Sequence, residues 1–219
     1  MNKILYTFVP LFFLYITGCC SDTSPVSPNT ADSTSHVIVR KPNVYIYPTH
    51  RTQLELKLIF PKGGAVIESE PLYNDGWVFT VDSSGLIDGE HHYLYYECDV
   101  PDAFQRLSGW RISGSGLDDF FRENMRRNGF RENEIADFIE FWTPLLDHQA
   151  EYIIYPQFNE DISPVIKLDF SIRPDHILRL FYLIIQSAGD MAKPMEPVIP
   201  NYSRTGFHVA EWGVILTPD

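Results

Sequence analysis

Alternation of hydrophobic and polar residues is the clearest pattern in this chain, and it has the period of a β-strand with one buried face. Residues 53–60, QLELKLIF, show it best, since every second residue is leucine or phenylalanine. Shorter segments of similar character, separated by turns rich in glycine, aspartate and proline, follow at residues 44–47, 65–69, 76–81 and 92–98. The pattern therefore predicts an antiparallel meander of about five strands.

The hydrophobic period changes to that of a helix after residue 115. Ser115 and Asp118 are spaced as a capping box, and Gly129 is placed to end the helix. The apolar stripe between them has the spacing i, i+3, i+4 and i+8: Leu117, Phe120, Phe121 and Met125.

A second amphipathic helix follows, with acidic residues early in it, where the helix dipole favours them, and Pro144 placed to kink or end it. Its apolar stripe consists of Ile135, Phe138, Ile139, Trp142 and Leu146. Strand patterns return at residues 151–158, 165–172, 177–186 and 206–215. This order predicts an α+β fold, an antiparallel β-rich domain with two consecutive amphipathic helices packed on a sheet.

Residues 1–18 have the layout of a secretory signal peptide, in which Lys3 precedes an apolar run that ends in small residues. Residues 16–19, ITGC, resemble the bacterial lipobox, in which a diacylglyceryl group is attached to the cysteine thiol before cleavage. We therefore expect Cys19 to be the lipidated first residue of the mature protein. The alternatives are an uncleaved anchor and an ordinary secretory site; the short run, interrupted by Pro10, argues against a spanning helix.

Three parts of the chain are predicted from these features: the signal peptide, a lipidated flexible tether over residues 19–36, and one globular domain over residues 37–219. The tether is predicted from its composition, which is almost wholly serine, threonine, proline, aspartate and asparagine. Position 20 directly follows the lipidated cysteine, and an aspartate there would mark retention in the inner membrane of a Gram-negative host. Because the residue is Cys20, the outer membrane is favoured. Cys20 and Cys98 are expected either as free thiols or as a bridge formed in the oxidising envelope.

The charge balance narrows the classes of partner. There are 29 acidic residues against 17 lysines and arginines, a formal net charge of −12. Such a surface repels nucleic acid and anionic lipid headgroups, so we expect no nucleic-acid partner, and membrane attachment through the lipid anchor.

Five segments, in order along the chain, resemble motifs of a family of uncharacterised bacterial proteins and lipoproteins. The family patterns are K-P-x-x-Y-L-Y-P, N-G-W, Y-L-x-W-E, F-I-x-Y-W-L-P and R-x-G-F-x-V-x-E-W-G. The matching residues are KPNVYIYP at 41–48, NDGW at 74–77, YLYYE at 93–97, FIEFWTPL at 138–145 and RTGFHVAEWG at 204–213. The resemblance spans about residues 40–215, with departures at Asp75, Tyr96 and Thr143. That family has no established reaction, cofactor or catalytic residue, so the resemblance implies none here.

Motifs of the common enzyme classes are missing from the sequence: no nucleophile elbow, phosphate-binding loop, dinucleotide fingerprint or zinc-protease helix is present. We therefore expect no cofactor and no metal. His91 and His92 are adjacent and would point to opposite faces of a strand, so the two imidazoles would not share a metal ion. The odd spacing of His208 and Glu211 places that pair on opposite faces in the same way.

Two carboxylates, Glu97 and Glu211, each end an aromatic or apolar run on a predicted strand. A desolvated carboxylic acid has a raised pKa, and two of them about 5 to 10 Å apart across a cleft could hydrolyse a glycosidic bond. The other interpretation is that each is a structural carboxylate, paired with an arginine or a tyrosine hydroxyl.

Three further residues are candidates for binding. Tyr45 and Tyr47 lie on the strand face opposite Val44 and Ile46, and the pattern does not decide between core and binding surface. Arg204 is either a structural clamp or an anion ligand.

Together these features favour a non-catalytic envelope lipoprotein that binds, or protects against, an unknown envelope protein or glycan. The alternative hypothesis is an envelope hydrolase acting on glycan or peptidoglycan with Glu97 and Glu211 as its paired carboxylates.

Overall fold

A computed structural model describes residues 35–187, 189 and 192–216 of the chain. Cys19, Cys20, the signal peptide and nearly all of the predicted tether lie outside these residues. The described residues belong to one compact unit, residues 34–219. No helix within them is long and apolar enough to cross a membrane.

Ten strands and three helices make up the described fold. The strands are β1 (His36–Tyr47), β2 (Thr52–Ile59), β3 (Ala65–Glu70), β4 (Trp77–Val81), β5 (Leu94–Pro101), β6 (Trp110–Ser113), β7 (Glu151–Gln157), β8 (Lys167–Phe170), β9 (His176–Gln186) and β10 (His208–Leu216). The helices are α1 (Leu117–Arg127), α2 (Glu132–Trp142) and the single turn α3 (Asn159–Ile162). The predicted α+β class is confirmed.

The strands form two sheets. Seven strands form the larger sheet in the order β3-β5-β1-β10-β9-β7-β6, and three form the smaller one in the order β4-β2-β8. Strands β9 and β10 pair in parallel, and the remaining described pairs are antiparallel.

The predicted five-stranded meander is wrong. β1, β3 and β5 belong to the large sheet, whereas β2 and β4 belong to the small one. Alternation along a strand shows which of its faces is buried, but it carries no information about the neighbouring strand. Consecutive strands therefore share the expected pattern although they lie in two facing layers.

Two hydrophobic cores lie on the two faces of the large sheet, and together they make a three-layer domain. The core between the sheets includes Val44, Leu56 and Phe181, and the core beneath the helices includes Phe121, Phe138 and Trp212. Among the described residues, both cores are composed of side chains within 37–216.

Both long helices form where the apolar stripes predicted them. Gly129 follows α1 with φ +96°, the left-handed conformation that a helix terminator requires. The predicted capping box is wrong, because Gly116 is the N-cap residue and Ser115 belongs to a short 3₁₀ turn that precedes α1. Pro144 lies in the 3₁₀ turn that follows α2, as expected of a residue that ends a helix.

Candidate functional site

Part of the large sheet is not covered by the helices, and we call it the open face. It comprises the side chains that β3, β5 and the first half of β1 direct towards the helix side, together with Phe141 and Leu145, which border them at the end of α2. On β5, Leu94, Tyr96 and Cys98 are fully buried between the sheets, whereas Tyr95 and Glu97 alternate with them and stay partly exposed. Within the part of the chain that the structure describes, the open face is thus a sheet surface without the helix layer that covers the rest.

A lysine on a strained backbone lies at the centre of the open face. The pairing of β1 shifts register between Arg40 and Asn43 against β10 and between Val39 and Asn43 against β5, and Lys41 within this bulge has a φ of +48°. This left-handed conformation is uncommon for a residue with a side chain, and such strain is concentrated at functional sites.

Three aromatic rings surround the Lys41 ammonium. Its Nζ lies 4.3 Å from the ring centre of Tyr95, 4.8 Å from that of Phe141 and 5.6 Å from that of Tyr93. Burial lowers the pKa of Lys41, and the carboxylates of Glu70 and Glu97 oppose that shift. Lys41 forms no close ion pair with any described residue, so its ammonium is held by ring faces and by nearby negative charge.

Two hollows flank Lys41. One, of about 380 Å³, is bounded by Ile38 and Arg40 from β1 and by Phe141 and Leu145 at the end of α2. Phe141 is 40% exposed and Leu145 65%, so this side of the open face presents apolar surface beside Arg40 and Glu97. The other hollow, of about 250 Å³, lies between Lys41, Glu70, Tyr93, Tyr95 and the pair His91 and His92.

Carboxylates predominate over cations on the open face. Glu68 on β3 lies directly opposite Glu97 on β5, an arrangement of like charges that destabilises a sheet. Arg40 lies 3.7 Å from Glu97 and its side chain is 47% exposed, so this ion pair is weak. Burial, together with the carboxylates of Glu97 and Glu68, raises the pKa of Tyr95, so its hydroxyl remains a hydrogen-bond donor at neutral pH.

The candidate binding residues Tyr45, Tyr47 and Arg204 are not part of this surface. Tyr45 and Tyr47 are buried beneath α2, where their hydroxyls donate to Asp137 at 2.8 Å and to Glu134 at 2.7 Å. Arg204 binds both carboxylate oxygens of Glu134, at 2.6 and 2.7 Å. The structure supports the interpretation of Arg204 as a clamp.

We call the group around Glu134 the α2 anchor; it comprises Tyr47, Arg131, Glu134, Arg204 and His208. The Tyr47 ring stacks on the His208 ring at 5.1 Å, and the Arg131 guanidinium lies 4.2 Å from the centre of the Tyr47 ring. Glu134 also accepts a hydrogen bond from the Arg131 backbone at 2.7 Å. These contacts fix the first turn of α2 to the large sheet.

Glu134 is the important residue that sequence reasoning missed. It was expected to be one of several acidic residues favoured by the helix dipole, yet its side chain is fully buried. A signal was present, because Glu134 precedes Phe138 and Trp142 by four and eight positions and so lies on their apolar stripe. A carboxylate on such a stripe requires a buried partner.

The two candidate catalytic carboxylates lie on opposite faces of the large sheet. Glu211 is fully buried between the sheets, where it accepts hydrogen bonds from Arg179 Nε at 2.5 Å and from the Tyr96 hydroxyl at 2.8 Å. Because Tyr96 points to Glu211, its neighbour Glu97 points the other way, onto the open face. The structure thus does not place Glu97 and Glu211 in one cleft, and each lies beside an arginine.

The remaining predicted sites are placed as follows. Among the described residues, no group of three or more histidines, cysteines, aspartates or glutamates is arranged to hold a metal ion. His208 and Glu211 point to opposite faces of β10, as their spacing predicts: His208 contacts Tyr47 beneath α2 and Glu211 contacts Tyr96. Cys98 is a buried free thiol.

Comparisons with profiles of protein families, with curated proteins and with solved structures found no match to this chain.

Proposed function

We propose that this protein is a lipid-anchored bacterial envelope protein whose open face binds a protein partner that carries basic groups, without catalysing a reaction. The lipobox and tether support the anchoring, and the open face supports the binding. On this proposal the tether gives the domain the freedom to meet a partner at some distance from the membrane.

The observation that carries the proposal is the combination of apolar and acidic side chains left uncovered on the open face. The exposed parts of Phe141 and Leu145 lose the stabilisation that burial would give, and Glu68 opposite Glu97 costs stability. A partner that buries the aromatic rings and brings positive charge to these carboxylates relieves both costs. Complementary charge of this kind also favours fast association.

The hydrolase hypothesis has no comparable support. A two-carboxylate mechanism needs both groups on one side of a substrate, about 5 to 10 Å apart. Tyr96 and Glu97 point to opposite faces of the large sheet, and Glu211 lies on the Tyr96 side. The two candidate carboxylates, Glu97 and Glu211, therefore belong to different layers of the domain.

Site-specific photo-crosslinking in living cells tests the proposal. A photoreactive amino acid replaces Glu70 on the open face of the full-length chain, and, as the matched control, Val78, which is 68% exposed on the outer surface of the small sheet. We expect a discrete protein adduct at position 70 and none at position 78. Adducts at position 78 alone, or none at either, would contradict the proposal.

A charge reversal tests whether the partner is basic. In the chain labelled at position 70, Glu68→Lys should reduce the adduct severalfold, because it replaces one of the facing carboxylates with a cation. The control is Glu55→Lys, which makes the same change on the small sheet, where Glu55 lies opposite Val78. Equal adduct yields in the two variants would show that charge on the open face does not select the partner.

A further inference from the structure

The open face already holds one cation, the ammonium of Lys41, and the fold directs it there. In a regular strand, successive side chains point to opposite faces. Arg40 nevertheless lies beside Glu97, and Lys41 lies beside Tyr95 on the same face of the large sheet. The bulge in β1 causes this, because an extra residue in a strand re-aims the side chain it carries.

The three rings around this ammonium, Tyr93, Tyr95 and Phe141, are here called the ring cage. Two of them are held by contacts of their own. Tyr93 packs edge-on against Tyr45 with 5.4 Å between the ring centres, and Phe141 packs in the same way against Trp142 at 5.1 Å. Tyr45 and Trp142 are both buried. The ring cage is therefore preorganised, which favours the binding of a cation.

The ring cage is accessible from two sides. Tyr93 and Tyr95 are partly exposed and border the hollow of about 250 Å³. Phe141 borders the other hollow, of about 380 Å³. Lys41 is itself half-buried between them. A side chain from outside the molecule therefore reaches the ring cage once the Lys41 side chain has moved out of it.

The carboxylates beside the ring cage are not matched by the Lys41 ammonium. Glu68, Glu70 and Glu97 all attract it, yet none of them forms an ion pair with it, and Glu68 and Glu70 form none with any described residue. An ammonium is a compact charge, whereas a guanidinium is planar. The flat face of a guanidinium stacks on a ring while its edge donates hydrogen bonds to a carboxylate.

We propose that the ring cage receives an arginine side chain of the basic partner, and that Lys41 occupies the cage until the partner displaces it; this inference rests on the proposed function. The arginine stacks on Tyr95 and donates to Glu97. The displaced Lys41 turns towards Glu70 across the smaller hollow, which both residues border. Lys41 is thus an internal competitor that sets the affinity of the open face.

An NMR titration of the purified full-length chain in detergent micelles tests the ring cage itself. The probes are propylguanidinium, which is the arginine side chain without its backbone, and propylurea, a neutral compound of nearly the same shape. Lys41→Asn empties the cage, and asparagine tolerates the left-handed backbone at this position. In this variant the ring-proton resonances of Tyr95 and Phe141 should report saturable binding of propylguanidinium, at least about fivefold tighter than that of propylurea. Equal affinities for the two probes, or no binding of propylguanidinium, would overturn the inference.

A comparison of variants tests whether Lys41 competes for the ring cage. Propylguanidinium should bind Lys41→Asn at least about fivefold more tightly than the wild-type chain, because the internal ammonium is gone. Arg40→Gln removes a cation from the same face without emptying the cage, so its gain should stay below about twofold. Phe141→Leu, added to Lys41→Asn, should lose most of the gain because it removes one ring. Equal gains in Lys41→Asn and Arg40→Gln would show that net charge, and not an occupied cage, controls binding.

Photo-crosslinking in cells connects the ring cage to the partner. With the photoreactive amino acid at Leu145, which is 65% exposed beside Phe141, Lys41→Asn should raise the yield of the protein adduct severalfold. An adduct at position 145 of unchanged or lower yield, or none there, would overturn the inference and leave the proposed function standing. The absence of adducts at positions 70 and 145 alike would contradict the proposed function as well.

Discussion

At the scale of single residues, the environment decides what a glutamate does in this protein. Glu97, Glu134 and Glu211 all lie in aromatic surroundings. Glu134 and Glu211 are fully buried and bound by arginines and tyrosine hydroxyls, whereas Glu97 remains partly exposed beside Arg40. The sequence showed that Glu97 and Glu211 lie at the ends of apolar runs, but it did not show which arginine would meet them.

The contrast between Glu211 and Glu97 predicts very different effects of the same substitution. Glu211→Gln leaves Arg179 buried without its counter-charge and should lower the free energy of unfolding by about 3 to 5 kcal/mol. Glu97→Gln, the matched change on the open face, should alter it by less than about 1 kcal/mol. Denaturant unfolding of both variants measures this difference. Similar losses in the two variants would show that Glu211 is not the buried partner described here.

At the scale of elements, the hydrophobic period predicted most of the structure. Both long helices and nine of the ten strands correspond to segments expected from the sequence, with β1 starting earlier than expected. β6 was missed because its four residues, WRIS, are too few to show a period. The allocation of strands to two sheets was also missed, since pairing depends on contacts between distant parts of the chain that no local pattern contains.

The contact between α2 and the large sheet should weaken in mild acid. His208 in the α2 anchor hydrogen-bonds through Nδ1 to the carbonyl of Gly206 at 3.0 Å, which leaves Nε2 as acceptor for Arg131 at 3.4 Å. Burial, and then the charges of Arg204 and Arg131, lower the pKa of His208, whereas the Gly206 carbonyl and Glu134 oppose the shift. Protonation places a third cation beside the two arginines.

The sign of the pH effect follows from proton binding. Because the pKa of His208 is lower in the folded than in the unfolded protein, the unfolded chain binds more protons, so stability is retained above about pH 6.5 and lost as pH falls through the folded pKa. The free energy of unfolding should therefore be smaller at pH 5.5 than at pH 7.5. His208→Gln should reduce this difference, and His50→Gln, an exposed control, should not. An unchanged difference in His208→Gln would contradict the assignment.

At the scale of the whole molecule, the proposed function depends on joining the domain to a membrane through Cys19. Labelling cells with a fatty-acid analogue tests this directly: the wild-type chain should incorporate label, and Cys19→Ala should lose it. Cys98→Ala is the matched control, because that thiol is buried and free. Undiminished labelling of Cys19→Ala would show that the lipobox resemblance is misleading.

The position of the last strand has a consequence for when the domain is able to fold. β10, at the end of the described chain, lies in the middle of the large sheet, with β1 antiparallel on one side and β9 parallel on the other. Neither core is complete without it, and pairings between distant segments form slowly. A chain that is still being synthesised therefore lacks the central strand of its large sheet. The proposed signal peptide would therefore direct to the membrane a chain that has not yet folded. An unfolded, extended chain is the form that a narrow translocation channel admits.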